Sequence, residues 1–181
     1  MVKRGKGFSL IEVMVSLVIL VIGLIGIFNL HVVSKRGSFE SFQQTQASYY
    51  ANDIINRMRL NPSEVGEYAG EYTGVLGTQP TACSGTAVCS TTAMKSWDLY
   101  EWQSLFSGAA EVVGGNNVGG LDSPVACITV SKNPVTLVNA VTVVMVWRGI
   151  RETTISAASV DASCASDKEN RRVFSIQTVI I

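Results

Sequence analysis

The sequence predicts an α+β protein in which one long N-terminal helix packs, through its second half, on a small antiparallel sheet. Three observations support this class: an unbroken apolar run at the start, helical spacing of apolar residues beyond it, and strand-like runs confined to the C-terminal half. A helical part followed by consecutive strands is typical of α+β proteins. The 181 residues suffice for one soluble domain besides an anchor.

The apolar run covers residues 8–28 and predicts a membrane-spanning helix. Twenty-one residues give about 31 Å of helix, which is enough to cross the hydrocarbon core of a bilayer. The run exceeds the roughly 7–15 apolar residues of a secretory signal, and no small-residue cleavage site follows it. The basic residues before the run slightly outweigh those after it, which favours a cytoplasmic N-terminus and an exported C-terminal domain.

Glu12 is the one ionisable residue in this run. A carboxylate inside an apolar span is costly unless it is paired or protonated, so Glu12 is a candidate functional residue. The alternative is that Glu12 lies close enough to the membrane surface to reach water and is merely tolerated.

The residues around Glu12 favour the functional interpretation. Residues 7–13, GFSLIEV, follow a short basic leader and resemble the class III signal of type IV prepilins and type II secretion pseudopilins. The resemblance implies that a prepilin peptidase cuts between Gly7 and Phe8, which removes residues 1–7, and methylates Phe8. It also implies that Glu12 is the family's glutamate, fifth in the mature chain.

The chemistry of subunit assembly agrees with this resemblance. A cut on the cytoplasmic side leaves the apolar helix attached, so the protein stays in the membrane until assembly extracts it. The extracted helix must then be buried against other such helices. In that dry bundle, Glu12 is expected to pair with the N-terminal amine of a neighbouring subunit.

Helical spacing continues through residues 29–61, which are expected to form the amphipathic half of the same helix. Asn61 and Pro62 are a stop signal. The predicted core stripe consists of Ala47, Tyr50, Ala51, Ile54, Ile55 and Met58.

Residues 62–181 are expected to form the α+β head. A loop is predicted over residues 63–90, then a helix capped by Ser90 or Thr91 and ending near Phe106, then a second loop over residues 114–124. The predicted strands are residues 125–131, 137–148 and 172–181, with a turn at residues 132–134.

The aromatic residues of the predicted helix divide between two faces. Trp102 shares one face with Leu99 and is expected in the core. Trp97 and Tyr100 point elsewhere, so they are either partner contacts or a second packing surface.

Four cysteines lie after the apolar run: Cys83, Cys89, Cys127 and Cys164. An even number in an exported domain indicates two disulfides, for which three connectivities exist. We predict Cys83–Cys89, which are close in sequence, and Cys127–Cys164, which a strand and a loop can bring together. A zinc site is disfavoured because the sequence has no CxxC pair and its single histidine, His31, follows the apolar run.

No catalytic constellation, phosphate-binding loop or metal-ligand cluster is found in the sequence, so neither enzymatic activity nor a cofactor is expected. The formal net charge is zero and no run of Lys and Arg follows the leader, so nucleic acid is not an expected partner.

The whole chain also resembles the minor pilins of type IV pili. The resemblance rests on the N-terminal segment, on a cysteine pair followed by the segment DLYEW (residues 98–102), and on late strands with a cysteine between them. It implies a protein of the inner membrane and the pilus that helps prime assembly, at the tip. Its implied partners are the prepilin peptidase, other minor and major pilins, the assembly platform and a tip adhesin. The alternatives are a minor pseudopilin of type II secretion and, from another class, a signal-anchored periplasmic enzyme.

Overall fold

The computed structural model describes residues 7, 9–85, 88–109, 111–132, 138–150, 164–165 and 169–181. The chain divides into two compact units, residues 1–39 and residues 40–181. Phe8 and the leader residues 1–6 lie outside the described residues, as do Asn133 and Pro134 of the predicted turn.

Helix α1 extends over Leu10–Leu60. It ends where the sequence predicts, because Pro62 has no N–H to continue the helical ladder and opens a 3-10 helix instead. The N–H of Asn61 closes the last turn by donating to the carbonyl of Met58 at 3.1 Å. Arg57 and Arg59 lie in the final turn, where a positive charge is favourable to the helix dipole.

The remaining elements follow in chain order. They are the 3-10 helix Pro62–Tyr68, β1 Gly70–Thr73, α2 Thr91–Phe106, β2 Val112–Val113, β3 Asn116–Asn117, β4 Val125–Lys132, β5 Asn139–Arg148 and β6 Arg171–Ile180. The main sheet is antiparallel, with the strand order β1-β4-β5-β6. Strands β2 and β3 form a separate small hairpin. The structure confirms the α+β class.

The core of the head forms where the second half of α1 meets α2 and the sheet. Seven α1 residues are buried there: Gln43, Ala47, Tyr50, Ala51, Ile54, Ile55 and Met58. The β5 residues that alternate toward this core, Val141, Val143, Met145 and Trp147, are all buried. A smaller cluster on β5 forms around Val144, Val146 and Cys164.

Two predicted loops contain regular structure. The loop expected over residues 63–90 includes the 3-10 helix and β1, and the loop expected over residues 114–124 includes β3. Strand β1 exists because its four residues pair with β4, from Gly70 opposite Ile128 to Thr73 opposite Val125. Such pairing is set by tertiary contacts, so the weak local preference of its sequence did not reveal it.

Candidate assembly site

Gly7 is exposed and lies before α1, outside regular secondary structure. A methyl group added at Gly7 would meet no atom within 4 Å, and its backbone does not adopt the left-handed conformation that favours glycine. Any requirement for glycine at this position therefore comes from whatever binds the segment, not from the chain's own packing. The neighbouring Phe8, predicted to become the N-terminus, lies outside the described residues.

Ser9 starts the helix that carries Glu12. The carbonyl of Ser9 accepts hydrogen bonds from the N–H groups of Glu12 at 3.0 Å and Val13 at 3.3 Å. Glu12 therefore lies in the first turn of α1, where the unpaired N–H groups and the helix dipole favour a carboxylate. Its side chain is exposed and has no hydrogen-bond or ion-pair partner within the described part of the chain.

An extensive apolar surface follows Glu12. Eighteen large apolar residues between Leu10 and Val33 are exposed, from 43% at Val21 to 79% at Leu10. Within the described residues, α1 is the one helix long and apolar enough to span a membrane, and its most apolar 18-residue window has a mean hydropathy of 2.8 with no residue buried. Apolar surface of this extent needs a lipid or protein partner to remove it from water.

Polar side chains interrupt this surface sparsely. The hydroxyl of Ser16 donates to the carbonyl of Val13 at 2.8 Å, so it is satisfied within its own helix turn. His31 is exposed at the end of the apolar run, far in sequence from any other candidate base. Glu12 is the one carboxylate of α1 before Glu40, so it stands alone among the exposed apolar residues.

The head holds α2 on α1 through a charged network that the sequence analysis missed. Arg57 pairs with Asp53 at 3.0 Å, with Asp98 at 3.2 Å and with Glu101 at 2.8 Å. Burial alone would lower the pKa of the Arg57 guanidinium, but the hydrogen bonds and charges of Glu101 and Asp53 outweigh it, and the pKa is raised. Because Asp98 and Glu101 come from α2, this network fixes the contact between the two helices.

Tyr68 extends the same network into the 3-10 helix. Its hydroxyl donates to Asp98 at 2.8 Å, and Asn61 donates to the Tyr68 hydroxyl at 3.3 Å and to the carbonyl of Thr91 at 2.8 Å. Burial raises the pKa of Tyr68 above its usual value, the Asn61 hydrogen bond lowers it, and the bond to Asp98 raises it further. Residues separated by up to 44 positions could not be recognised as a network from their spacing in the sequence.

Trp102 is fully buried and connects α2 to the second half of α1. Its indole N–H donates to the carbonyl of Tyr50 at 2.8 Å, and its ring packs edge-on against Phe106 and Tyr72. Trp102 therefore lies in the core, as expected. Trp97 and Tyr100 stack on each other, with ring centroids 6.1 Å apart, and both remain partly exposed.

The four cysteines form two disulfides, Cys83–Cys89 and Cys127–Cys164, with Cα atoms 5.8 Å and 5.9 Å apart. These are the two pairs expected from the sequence. Cys127 lies on β4, and Cys164 is buried with Val144 and Val146 of β5. The described residues contain no free cysteine and no group of histidine, cysteine, aspartate and glutamate that could hold a metal ion.

Comparison with known protein families found two matches along the chain. Residues 2–28 match the prokaryotic N-terminal methylation motif, and residues 30–100 match a family described as type IV pilin Tt1218. The first match contains the apolar half of α1 with Gly7 and Glu12, and the second contains the amphipathic half and most of α2. No curated protein and no solved structure matches the chain.

Proposed function

This chain belongs to the type IV pilin-like proteins, and from that premise we propose that it is a minor pilin that helps prime pilus assembly at the tip. Members of the family are structural proteins whose class III signal implies processing by a prepilin peptidase and association with other pilins. Their apolar N-terminal helix serves as a membrane anchor and as a part of the pilus. The minor role, the tip position and the priming activity are our proposal.

The observation that carries the proposal is the composition of the exposed half of α1. It joins a class III motif to a surface of eighteen exposed large apolar residues with one carboxylate, Glu12, in the first turn. A membrane anchor alone needs the apolar surface but gains nothing from Glu12. A helix that leaves the membrane and packs against other helices uses both, because the carboxylate selects the register in which it meets a positive charge.

Similarity to the minor pilin PilV supports the choice of a minor subunit. One of the segments that carry this similarity, residues 98–102, includes Asp98 of the charged network and the buried Trp102. It therefore lies where α2 is fastened to α1, which is an architectural position in the head. These residues pair and pack within the head, in accordance with a structural role.

We assign the parts of the chain as follows. Residues 1–7 are the leader that the peptidase removes, residues 8–28 cross the inner membrane and later enter the filament core, residues 29–61 complete the helix, and residues 62–181 form the periplasmic head. Before assembly, the protein meets the assembly platform in the membrane. At the tip, its neighbours are other minor pilins, the major pilin below and an adhesin above.

The first test is the mature N-terminus. Mass spectrometry of the membrane-extracted protein should show a chain that begins at Phe8 and carries one methyl group. Gly7→Val should leave the leader attached, because a branched side chain does not fit a site made for glycine, while the open surroundings of Gly7 leave the head's fold unchanged. A Gly7→Val protein with the wild-type mature mass would refute the assigned cleavage site.

Fractionation then tests the minor pilin role. The processed protein should be recovered at low abundance in sheared surface pili together with other pilins. Recovery with a secretion pseudopilus, and not with pili, would instead show that the chain is a pseudopilin.

A further inference from the structure

The two edges of the four-stranded sheet differ in how they are protected. Strand β1 has four residues and carries Glu71, whereas β6 has ten residues. Strand β6 pairs with β5 in unbroken register and has neither a charge nor a proline from Val173 to Ile180. Native edges are normally shielded by short length, charge, proline or bulges, and β6 has none of these along that stretch.

The hydrogen bonds at the start of β6 show which backbone groups point outward. The N–H of Gly149 donates to the carbonyl of Asn170 at 2.7 Å, and these two residues continue the β5–β6 register. Because bonded positions alternate along an antiparallel pair, even-numbered residues of β6 bond to β5 and odd-numbered residues face away from it. The N–H of Arg148, which donates to Asp122 on the other side of β5, fits the same alternation.

The outward groups therefore belong to Val173, Ser175, Gln177 and Val179. No described residue hydrogen-bonds to them from outside the strand. Their side chains are half-buried at Val173 and exposed at the other three positions. The amide and carbonyl groups of these four residues can therefore form hydrogen bonds with an additional β-strand.

The face of β6 that is turned toward α1 presents apolar side chains next to this edge. Arg172 pairs with Glu40 at 3.1 Å and Thr178 accepts a hydrogen bond from Arg59 at 3.0 Å, so even-numbered side chains face α1. Between them, Phe174 and Ile176 are only partly buried and pack against the core. An additional strand with apolar residues on the α1 side would complete their burial.

We propose that the outer edge of β6, residues 173–180, is a strand-addition site that takes an extended, uncharged segment of a partner protein with apolar residues at alternate positions. Main-chain hydrogen bonds supply the affinity of such a site, and alternate side chains supply its selectivity. The absence of charge along the edge means that a charged segment would gain no ion pair there.

A second copy of this chain, paired antiparallel through its own β6, does not fit this edge. This step rests on the proposed function. The contacts of Glu40 with Arg172 and of Arg59 with Thr178 show that this part of α1 runs in the same sense as β6. Antiparallel pairing of two β6 strands would point the two helices in opposite directions. Subunits of a helical filament share one direction along its axis, which two copies with opposed helices in their heads would not.

The test uses the full chain in detergent micelles, where no assembly occurs, so its outcome is independent of the proposed pilus role. The probe is a synthetic ten-residue peptide of alternating valine and threonine with terminal lysines for solubility. Hydrogen exchange followed by NMR should show about tenfold or greater slowing at the amides of Ser175, Gln177 and Val179 when the peptide is added. The same peptide with two central prolines should have no such effect.

Two kinds of variant test whether the outer edge of β6 itself is required for this protection. Gln177→Pro removes an outward N–H without removing a bond to β5, and it should abolish the protection; if near-UV circular dichroism shows that it does not fold, Gln177→Lys decides instead. Thr129→Lys is the matched control, because Thr129 lies in the same row of the sheet two strands away, through Thr142. The proposal would be overturned if the peptide did not slow exchange at these amides, or if the proline peptide slowed it equally. It would also be overturned if Thr129→Lys lost the protection as fully as the Gln177 variant. Concentration-dependent protection without any peptide would also overturn it, in favour of self-pairing.

Discussion

The two halves of α1 have opposite environments although they belong to one helix. Within the described part of residues 1–39 no side chain is buried, whereas residues 40–60 contribute seven buried side chains to the head. Burial of apolar area is the main favourable term in folding, at about 25 cal/mol per Å². The second half is therefore fixed by its own chain, while the first half leaves its apolar surface for partners outside the chain.

This difference implies that stability and assembly can be altered separately. Substitutions in the head should change its unfolding and leave the anchor's chemistry alone. Substitutions in the first half of α1 should change membrane anchoring or assembly and leave the unfolding of the head unchanged. The predictions below are ordered by their expected effect on head stability.

The largest effect is expected at Trp102. Trp102→Ala empties a fully buried site and removes the hydrogen bond to Tyr50, so it should destabilise the head by about 3–5 kcal/mol. Leu20→Ala should leave the head's stability unchanged, because Leu20 is 60% exposed. Thermal unfolding of the full chain in micelles, followed by near-UV circular dichroism, measures both. Equal losses would show that the halves are not energetically separate.

The disulfides come next, and they differ from each other. Cys127–Cys164 closes a separation of 37 residues and Cys83–Cys89 one of 6. On chain entropy, replacing the first pair by serine should cost about 4 kcal/mol and replacing the second about 2 kcal/mol. Peptide mapping checks the pairing, and chemical denaturation checks the ranking. A cross-link of Cys83 to Cys127 or Cys164 would contradict the structure of this region.

Alkaline pH should weaken the head to a smaller extent. Burial raises the pKa of Tyr72 from 10.0 to about 12, and the pKa of Tyr68 is raised as well. The neutral phenols therefore contribute stability that is fully present below pH 10 and declines as the pH rises toward 12. Tyr72→Phe should reduce the fall in melting temperature between pH 9 and pH 11, because the variant has no phenol to ionise at this position. An unchanged slope in Tyr72→Phe would show that this tyrosine is not responsible.

Much of the fold could be predicted because its signals are local. The apolar run, the stop at Asn61 and Pro62, and the alternation along β5 depend only on neighbouring residues. Of the two predicted caps of α2, Ser90 is the one that the structure shows: the helix begins at Thr91, and the hydroxyl of Ser90 accepts from the N–H of Ala93. The predicted strands agree with β4 and β6 to within one residue at each end, and β5 ends as predicted but begins two residues later.

The rest depends on contacts between distant residues. Strand β1 is set by its pairing with β4, and the interactions of Arg57 join residues from two helices. At the candidate site the sequence predicts roles for Gly7, Phe8 and Glu12. It also predicts the contrast between the two halves of α1, but not the contacts that hold the second half in the head. Those contacts, such as the ion pairs of Arg57 and the hydrogen bond from Trp102 to Tyr50, join residues that are distant in sequence.

The central claim is that Glu12 acts in assembly and not in folding, and a matched set of variants tests it most directly. Glu12→Ala and Glu12→Gln are compared with Glu67→Gln, which changes an exposed carboxylate in the head. All three should be cleaved after Gly7 and unfold at the wild-type temperature. Removing one partner of a buried ion pair costs about 3–5 kcal/mol, so co-purification with other pilins and the number of surface pili should fall sharply in both Glu12 variants alone. Normal partner binding and piliation in both processed Glu12 variants would contradict this account and leave Glu12 as a tolerated charge.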